Sequence, residues 1–303
     1  MDQNFRITRI LAGIKNPLKC DGFIQNVCHF AEVVGAEHVT FLYVTENLEE
    51  LNFPITQDNS AYEGLLLVFK ERTETIAKEI TQAKITCEIR EGNKDDKLVH
   101  WVKLNRADLL ILSRREGKLG SASRSIKVTR LAACHVLIVP EKWEWKPIKR
   151  ALIPIDFSEY SELAIKATEN IAGLESVYCL NVYEVPAGYY YIGCTEAEAE
   201  MKMLKNARNA FEKFIGAIPA PKIPVTPAFL INKASGDIEE VIGAYAKNNP
   251  MQLFIIGSKG LTGATGFMLG SVAQALIRNE SDVPVLVVKN TNEKISLLDA
   301  LMS

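Results

Sequence analysis

The chain has 303 residues, 48% of them hydrophobic and 24% charged, with a formal net charge of −2. That length suffices for two domains with separate cores, and the composition is that of a globular protein rather than a disordered or membrane-embedded one. A near-neutral charge argues against a dedicated nucleic-acid partner, no apolar run reaches the ~18 residues of a spanning helix, and Met1 to Lys15 lacks an apolar signal core, so a cytoplasmic protein without membrane contact is expected.

In chain order the sequence reads as one unit written twice. Arg9-Ile-Leu-Ala-Gly-Ile14 opens the first copy as a strand and answers to Arg150-Ala-Leu-Ile-Pro-Ile155 in the second. Phe23, Val27, Phe30, Ala31 and Val34 then recur at helical spacing and predict an apolar helix face. Strand Val39 to Val44 matches Val177 to Val182, Glu91-Gly92 matches Ser235-Gly236, and strand Ala107 to Leu112 matches Met251 to Ile256. Val136 to Val139 closes the first copy as Val285 to Val288 closes the second. Between them the polar segment Glu141 to Pro147 reads as a linker, with Trp143 and Trp145 expected between the domains. In the second copy Ile238, Val241, Ile242 and Tyr245 fall at i, i+3, i+4 and i+7, after Gly236-Asp237 and before Pro250, which predicts a helix delivering the chain to its next strand. Apolar strands alternating with helical segments predict an α/β fold of two tandem open parallel sheets flanked by helices, in residues 1–146 and 147–303.

The six cysteines (Cys20, Cys28, Cys87, Cys134, Cys179 and Cys194) form no C-x-x-C pair, so reduced thiols, several of them in the core, are expected rather than a zinc or redox site. The histidines end at His135, which leaves the second copy without imidazole for Ser-His or Cys-His chemistry.

The segment from Gly257 to Ser271 carries the chemistry. Gly257, Gly260, Gly270 and Ser271 give the spacing G-x2-G-x9-G-S, following the strand Phe254-Ile-Ile256 and preceding an apolar helical stretch with Val272 and Leu276. Glycines let backbone approach a polyanion closely, and a helix N-terminus offers free N–H groups and a favourable dipole, so phosphate is the expected occupant. Ser271 is expected both to cap that helix and to donate its hydroxyl to a phosphate oxygen. Neither G-x-x-x-x-G-K-[ST] nor G-x-G-x-x-G occurs, which disfavours P-loop hydrolases and dinucleotide dehydrogenases. Asp156, at the end of a strand, is of a type that accepts hydrogen bonds from an adenine amino group or a ribose hydroxyl; alternatively it caps the helix that begins near Ser158.

The glycine spacing, the strand Ile153-Pro154-Ile155-Asp156 and the closing run Val283 to Val288 together resemble the universal stress protein family in a tandem two-domain form. The resemblance is strong over residues 148–289 and weaker but continuous over 6–140. It implies a five-stranded parallel sheet of the adenine nucleotide α hydrolase kind in each copy, and ATP, with ADP or AMP as alternatives, in the second, accompanied by Mg2+ at the phosphates. By the same resemblance Asp156 contacts the nucleoside, and Pro154, Ile155 and Val182 surround the adenine. Ile256 and Gly257 continue that wall, while Gly260, Gly270, Ser271 and Val272 hold ribose and phosphates. The closing strands are implied to pair with each other within the chain, as in the dimers of single-domain members, with a homodimer of the whole chain left open.

The first copy departs from this pattern. Lys15 stands where the second copy has Asp156, Ser113-Arg-Arg-Glu116 stands for Gly257-Ser-Lys-Gly260, and Ala122-Ser123 falls opposite Gly270-Ser271, so nucleotide binding by a degenerate first domain is not expected. Arg114 to Arg130 holds six basic residues against Glu116 alone, either a solvated basic face or a side-chain anion site. Tyr189-Tyr-Tyr191 is expected as a lid or as an exposed loop packing on the other domain, and the tail Asn290 to Ser303 as a short amphipathic helix or a frayed end. The resulting expectation is an ATP-binding stress-response regulator or switch. Its rivals are a slow ATPase or adenylate-transferring enzyme using Asp156 and Lys259, and a scaffold that works through its closing strands. The H-x-G-H and S-G-G-x-D-S runs of ATP-dependent activating enzymes are absent.

Overall fold

The structure, a computed structural model, describes residues 5–47, 61–114, 119–233, 237–261, 268–278 and 282–290. They fall into two compact units that divide between Lys146 and Pro147, the second running to Asn290.

The first unit runs β1 (Arg9–Ile14), α1 (Asp21–Val34), β2 (His38–Thr45), α2 (Ala61–Ala77), β3 (Lys84–Glu91), α3 (Lys94–Leu104), β4 (Leu109–Arg114), α4 (Leu119–Leu131) and β5 (His135–Pro140). Its strands lie in the order β3-β2-β1-β4-β5, all parallel, with Ile10 opposite both Val39 and Leu109. Strands covered by helices on both faces must be apolar on both faces, and Leu11, Ala12, Phe41, Leu42, Leu109 and Leu110 are all buried.

The second unit repeats the pattern: β6 (Arg150–Pro154), α5 (Glu159–Ala167), β7 (Ser176–Tyr183), α6 (Glu196–Ala217), β8 (Val225–Ile231), α7 (Ile238–Asn248), β9 (Leu253–Gly257), α8 (Ser271–Arg278) and β10 (Val285–Val288). The order is β10-β9-β6-β7-β8, again all parallel. Each copy thus holds the five-stranded parallel sheet expected of it. After β6 the chain builds β7 and β8 on one side and then crosses to β9 on the other. The carboxyl ends of β6 and β9 therefore flank a topological switch point, where open α/β sheets form a crevice.

Trp143 and Trp145 pack on α1, where Asn26 Nδ2 donates to the Trp143 carbonyl at 2.6 Å, His29 stacks on Trp145 at 5.1 Å and the two indoles meet edge to face at 5.6 Å. Tyr189, Tyr190 and Tyr191 form a single short 3-10 turn whose rings touch one another in series, with Tyr190 and Tyr191 exposed. Of the basic segment, Arg114 is buried, and Arg124 and Lys127 approach Asp95 of α3 at 3.3 and 3.1 Å. Residues 115–118 and the tail from 291 lie outside the described residues. Five of the cysteines are buried thiols, and burial pushes Cys20, Cys28 and Cys179 up to about 12. Among the described residues no helix is long and apolar enough to cross a membrane.

Candidate functional site

The crevice at the switch point holds a cavity of about 300 Å³. It is lined by all ten residues singled out in the second copy: Pro154, Ile155 and Asp156 after β6, Val182 on β7, Ile256 and Gly257 at the end of β9, Gly260 in the loop, and Gly270, Ser271 and Val272 where α8 begins. Ile238 and Ile242 of α7 close the apolar side, and Lys259 and Leu261 border the loop side. The residues of the loop at 262–267 lie outside the described residues.

Strand lengths give one wall its polarity. The ladder between β6 and β7 ends at Pro154 opposite Leu180, while β7 continues to Tyr183. Ile155 N still donates to the Leu180 carbonyl at 2.9 Å, and the Tyr183 carbonyl accepts from Asn232 N on the β8 side. Backbone groups alternate sides along a strand, so the N–H and C=O of Val182 face the side that β6 has vacated. That places a donor and an acceptor beside the apolar side chains of Ile155, Ile256 and Ile242. Asn181, buried beside Val182, fixes the end of β6 by donating from Nδ2 to the Ile155 carbonyl at 3.0 Å.

The opposite wall is built from loop backbone. Gly270 N donates to the Ser258 carbonyl at 2.8 Å, and the Gly270 carbonyl accepts from Gln274 N at 3.0 Å. Gly270 therefore holds the capping position of α8, and Ser271, expected there, is instead its first helical residue, exposed at the mouth. The N–H groups of the first turn of α8 have no acceptor within the helix, as in any helix. Gln274 Nε2 donates to the Leu269 carbonyl at 2.7 Å and fastens the end of the loop.

Asp156 joins the two walls. Its Oδ1 accepts from Ser158 N at 3.1 Å and Ser161 Oγ at 2.8 Å, and its Oδ2 accepts from Leu261 N at 2.8 Å. Partial burial alone would raise its pKa, but the hydrogen bonds from Ser158, Ser161 and Leu261 outweigh it and hold the carboxyl below its ordinary 3.8. The cap of α5 is Ser158, whose side chain accepts from Ser161 N, so Asp156 does not itself cap that helix. Between them Phe157 adopts φ 66°, a left-handed conformation uncommon outside glycine, and its ring meets Phe214 of α6 at 5.8 Å.

The glycines serve different ends. A Cβ on Gly260 would stand 2.5 Å from Asp156 Oδ2, whereas one on Gly270 would meet nothing nearer than 3.7 Å. Lys259 lies over the Tyr160 ring, its Nζ 5.7 Å from the centroid. Ser161, Asn181 and Leu261 are lining residues that the sequence does not single out, while Ile238 and Ile242 are legible in it only as a helix face. For Asn181 the signal is an amide between the apolar Leu180 and Val182 near the end of β7.

At the corresponding place in the first unit, Lys15 Nζ donates to Ser113 Oγ at 3.2 Å and pairs with Glu141 at 3.4 Å. A Cβ on Gly13 of β1 would meet Leu112 Cδ2 at 2.9 Å and Leu98 Cδ2 of α3 at 3.1 Å. Side chains of the first unit thus occupy the end of β1, where the second unit has open space beside Pro154.

Comparison with known proteins agrees with this architecture. The model of the universal stress protein family matches residues 6–140 and 147–289. Universal stress protein Rv2005c of Mycobacterium tuberculosis is 26% identical over 204 residues, covering 62% of this chain; the chain spans 63% of that relative's length. Universal stress protein MJ0577 of Methanocaldococcus jannaschii is 28% identical over 161 residues, 48% of this chain and 96% of its own. Among solved structures, a universal stress protein from Archaeoglobus fulgidus has a like fold, with a TM-score of 0.58 at 19% identity over 96% of this chain and 100% of its own. With the family matched over both copies, this chain belongs to the universal stress protein family and carries two of its units in tandem.

Proposed function

We propose that the second unit binds an adenine nucleotide, ATP with ADP or AMP as alternatives, and that the protein acts as a stress-response regulator or switch rather than a fast catalyst. The observation that carries this reading is the convergence on one cavity of an apolar slot with a backbone donor and acceptor at Val182, and of a glycine loop leading into the N-terminus of α8. A planar base with one donor and one acceptor on its edge fits the first, and phosphate fits the second. The cavity volume lies at the lower end of those that hold small ligands. Among the described residues no cluster of three metal-ligating side chains exists, so Mg2+ in this reading is carried by the phosphates themselves.

The regulatory half of the proposal is supported by the engagement of Asp156, whose carboxylate already accepts from Ser158 N, Ser161 Oγ and Leu261 N. A carboxylate held below its ordinary pKa by three hydrogen bonds is a poor general base, and the second copy has no histidine to replace it. The same reading keeps the protein in the cytoplasm. It also has the closing strands, apolar throughout at Val136 to Val139 and Val285 to Val288, pair with each other within the chain or between chains. Titration calorimetry of the full chain with ATP, ADP, AMP and adenosine tests binding, and steady-state turnover separates a switch from a slow ATPase. Sedimentation with and without nucleotide tests the assembly. Absence of binding by all four ligands would overturn the reading.

A further inference from the structure

We propose that Asp156 is a positioning residue for the phosphate-binding loop, holding its backbone in shape, rather than the group that reads the nucleoside. The proposal rests on the nucleotide reading above and gives one of its residues a different task.

The hydrogen bonds of Asp156 account for most of its capacity. Oδ1 already accepts from two donors, Ser158 N and Ser161 Oγ, and the Ser161 hydroxyl in turn accepts from Asp156 N at 3.1 Å, which locks the carboxylate against α5. Oδ2 accepts from Leu261 N, 105 residues away in sequence. The loop is built to receive that oxygen: a side chain on Gly260 would stand 2.5 Å from it, so the absence of a Cβ there makes room for Asp156. At its other end the loop is tied to α8 through Gly270 N and the Ser258 carbonyl, 2.8 Å apart. Ser258 to Leu261 is therefore held at two points, one on α8 and one on Asp156. The first unit keeps the plan and changes the chemistry, because Lys15, at the position of Asp156, donates to Ser113 at the end of β4. In both units the residue after the first strand fastens the end of the strand next to it or the loop that follows.

A nucleoside reader and a loop positioner differ in which ligand they serve. Loss of a reader weakens adenosine and ATP by one common factor, whereas loss of a positioner removes the increment that the phosphates contribute. The experiment measures the affinities of adenosine and ATP by titration calorimetry in the full chain, in Asp156→Asn and in Gly260→Ala. Asparagine at 156 turns an N–H donor toward one of its former partners, and alanine at 260 displaces the carboxylate without removing it. The ATP-to-adenosine affinity ratio is expected to fall about tenfold or more in both variants, the size of one hydrogen bond to a charged group. An unchanged ratio with both affinities reduced would overturn the proposal and restore Asp156 as the nucleoside contact, and an unchanged ratio with neither reduced would overturn it too. If the unsubstituted chain binds neither ligand, or binds both equally, the phosphate-loop reading itself fails. Should Asp156→Asn not fold by circular dichroism, the ratio in Ser161→Ala, which takes one donor from Oδ1 of Asp156 and leaves the loop sequence unchanged, decides instead, an unchanged ratio overturning the proposal.

Discussion

A Cβ on Gly257 would stand 2.5 Å from the Cβ of Tyr160 and 2.8 Å from its carbonyl oxygen. Gly257 is thus glycine because α5 crosses the end of β9 there, and the cavity it borders is incidental to that need. Gly270 has no such neighbour and no left-handed φ, so its backbone tolerates alanine. Gly257→Ala is expected to cost about 1–3 kcal/mol of stability through overpacking, and Gly270→Ala less than about 1 kcal/mol, the scale of an ordinary surface change. In the nucleotide reading Gly270→Ala nevertheless weakens ATP, because the added methyl intrudes where phosphate approaches. Thermal unfolding of both variants, followed by titration of the second, checks the contrast; equal destabilisation would contradict it.

Nucleotide stoichiometry follows from the first unit. Leu98 and Leu112 close over Gly13, and Lys15 is engaged with Ser113 and Glu141. Calorimetry is expected to give one nucleotide per chain, and still one in Lys15→Asp, since reversing one charge leaves the leucines in place. Two equivalent sites in the unsubstituted chain would be incompatible with this.

The lowered pKa of Asp156 has a defined sign in stability. Its unfolded-state value is the ordinary 3.8 and its folded value is lower, so near pH 3 the unfolded chain binds more protons than the folded one. The stabilisation is fully present above the unfolded value and is lost as pH falls through the folded value. Urea unfolding between pH 5 and 2.5 (roughly, around the carboxylate range) should show a shallower acid limb in Asp156→Asn than in the parent. Parallel limbs would remove Asp156 from the account.

His29 offers a second titration, in the first unit. Burial lowers its pKa beneath the ordinary 6.5, and the ring stacked on it is that of Trp145. As pH falls below 6.5 the unfolded chain takes up this proton first, so stability contributed by the neutral ring is lost there. Nuclear magnetic resonance titration should place His29 below its ordinary value and return it toward that value in Trp145→Ala, which also forfeits about 0.5–1.5 kcal/mol of ring pairing. A His29 titration unchanged by Trp145→Ala would show that the indole is not the burying group.

What could be read from sequence divides along physical lines. The two copies, their strands and the cavity-lining glycines were legible because strand burial and close backbone approach each demand particular residue types in order. Ser161, Asn181 and Leu261 were not, since they reach the cavity from separate elements, and only the packed sheet places Asn181 against Ile155. Gly257 was visible as a glycine, but its reason was not, because the crossing of α5 is a tertiary fact. Ser271 gave the residue preference of a cap one position away from where the Gly270 carbonyl closes the first turn. For Trp143 and Trp145 the linker signal points between the domains, and their packing on α1 is a tertiary fact that it does not carry.

Phe157, at φ 66°, works against its own Cβ by about 1–2 kcal/mol, and its contact with Phe214 offsets part of that opposition. α6 is 22 residues long yet buries chiefly Ala199, Ala207 and Phe211. One tie between α6 and the turn from Asp156 to Ser158 is the Phe157–Phe214 ring pair. A substitution at Phe214, which does not line the cavity, would therefore reach the Asp156 carboxylate through the turn that carries it.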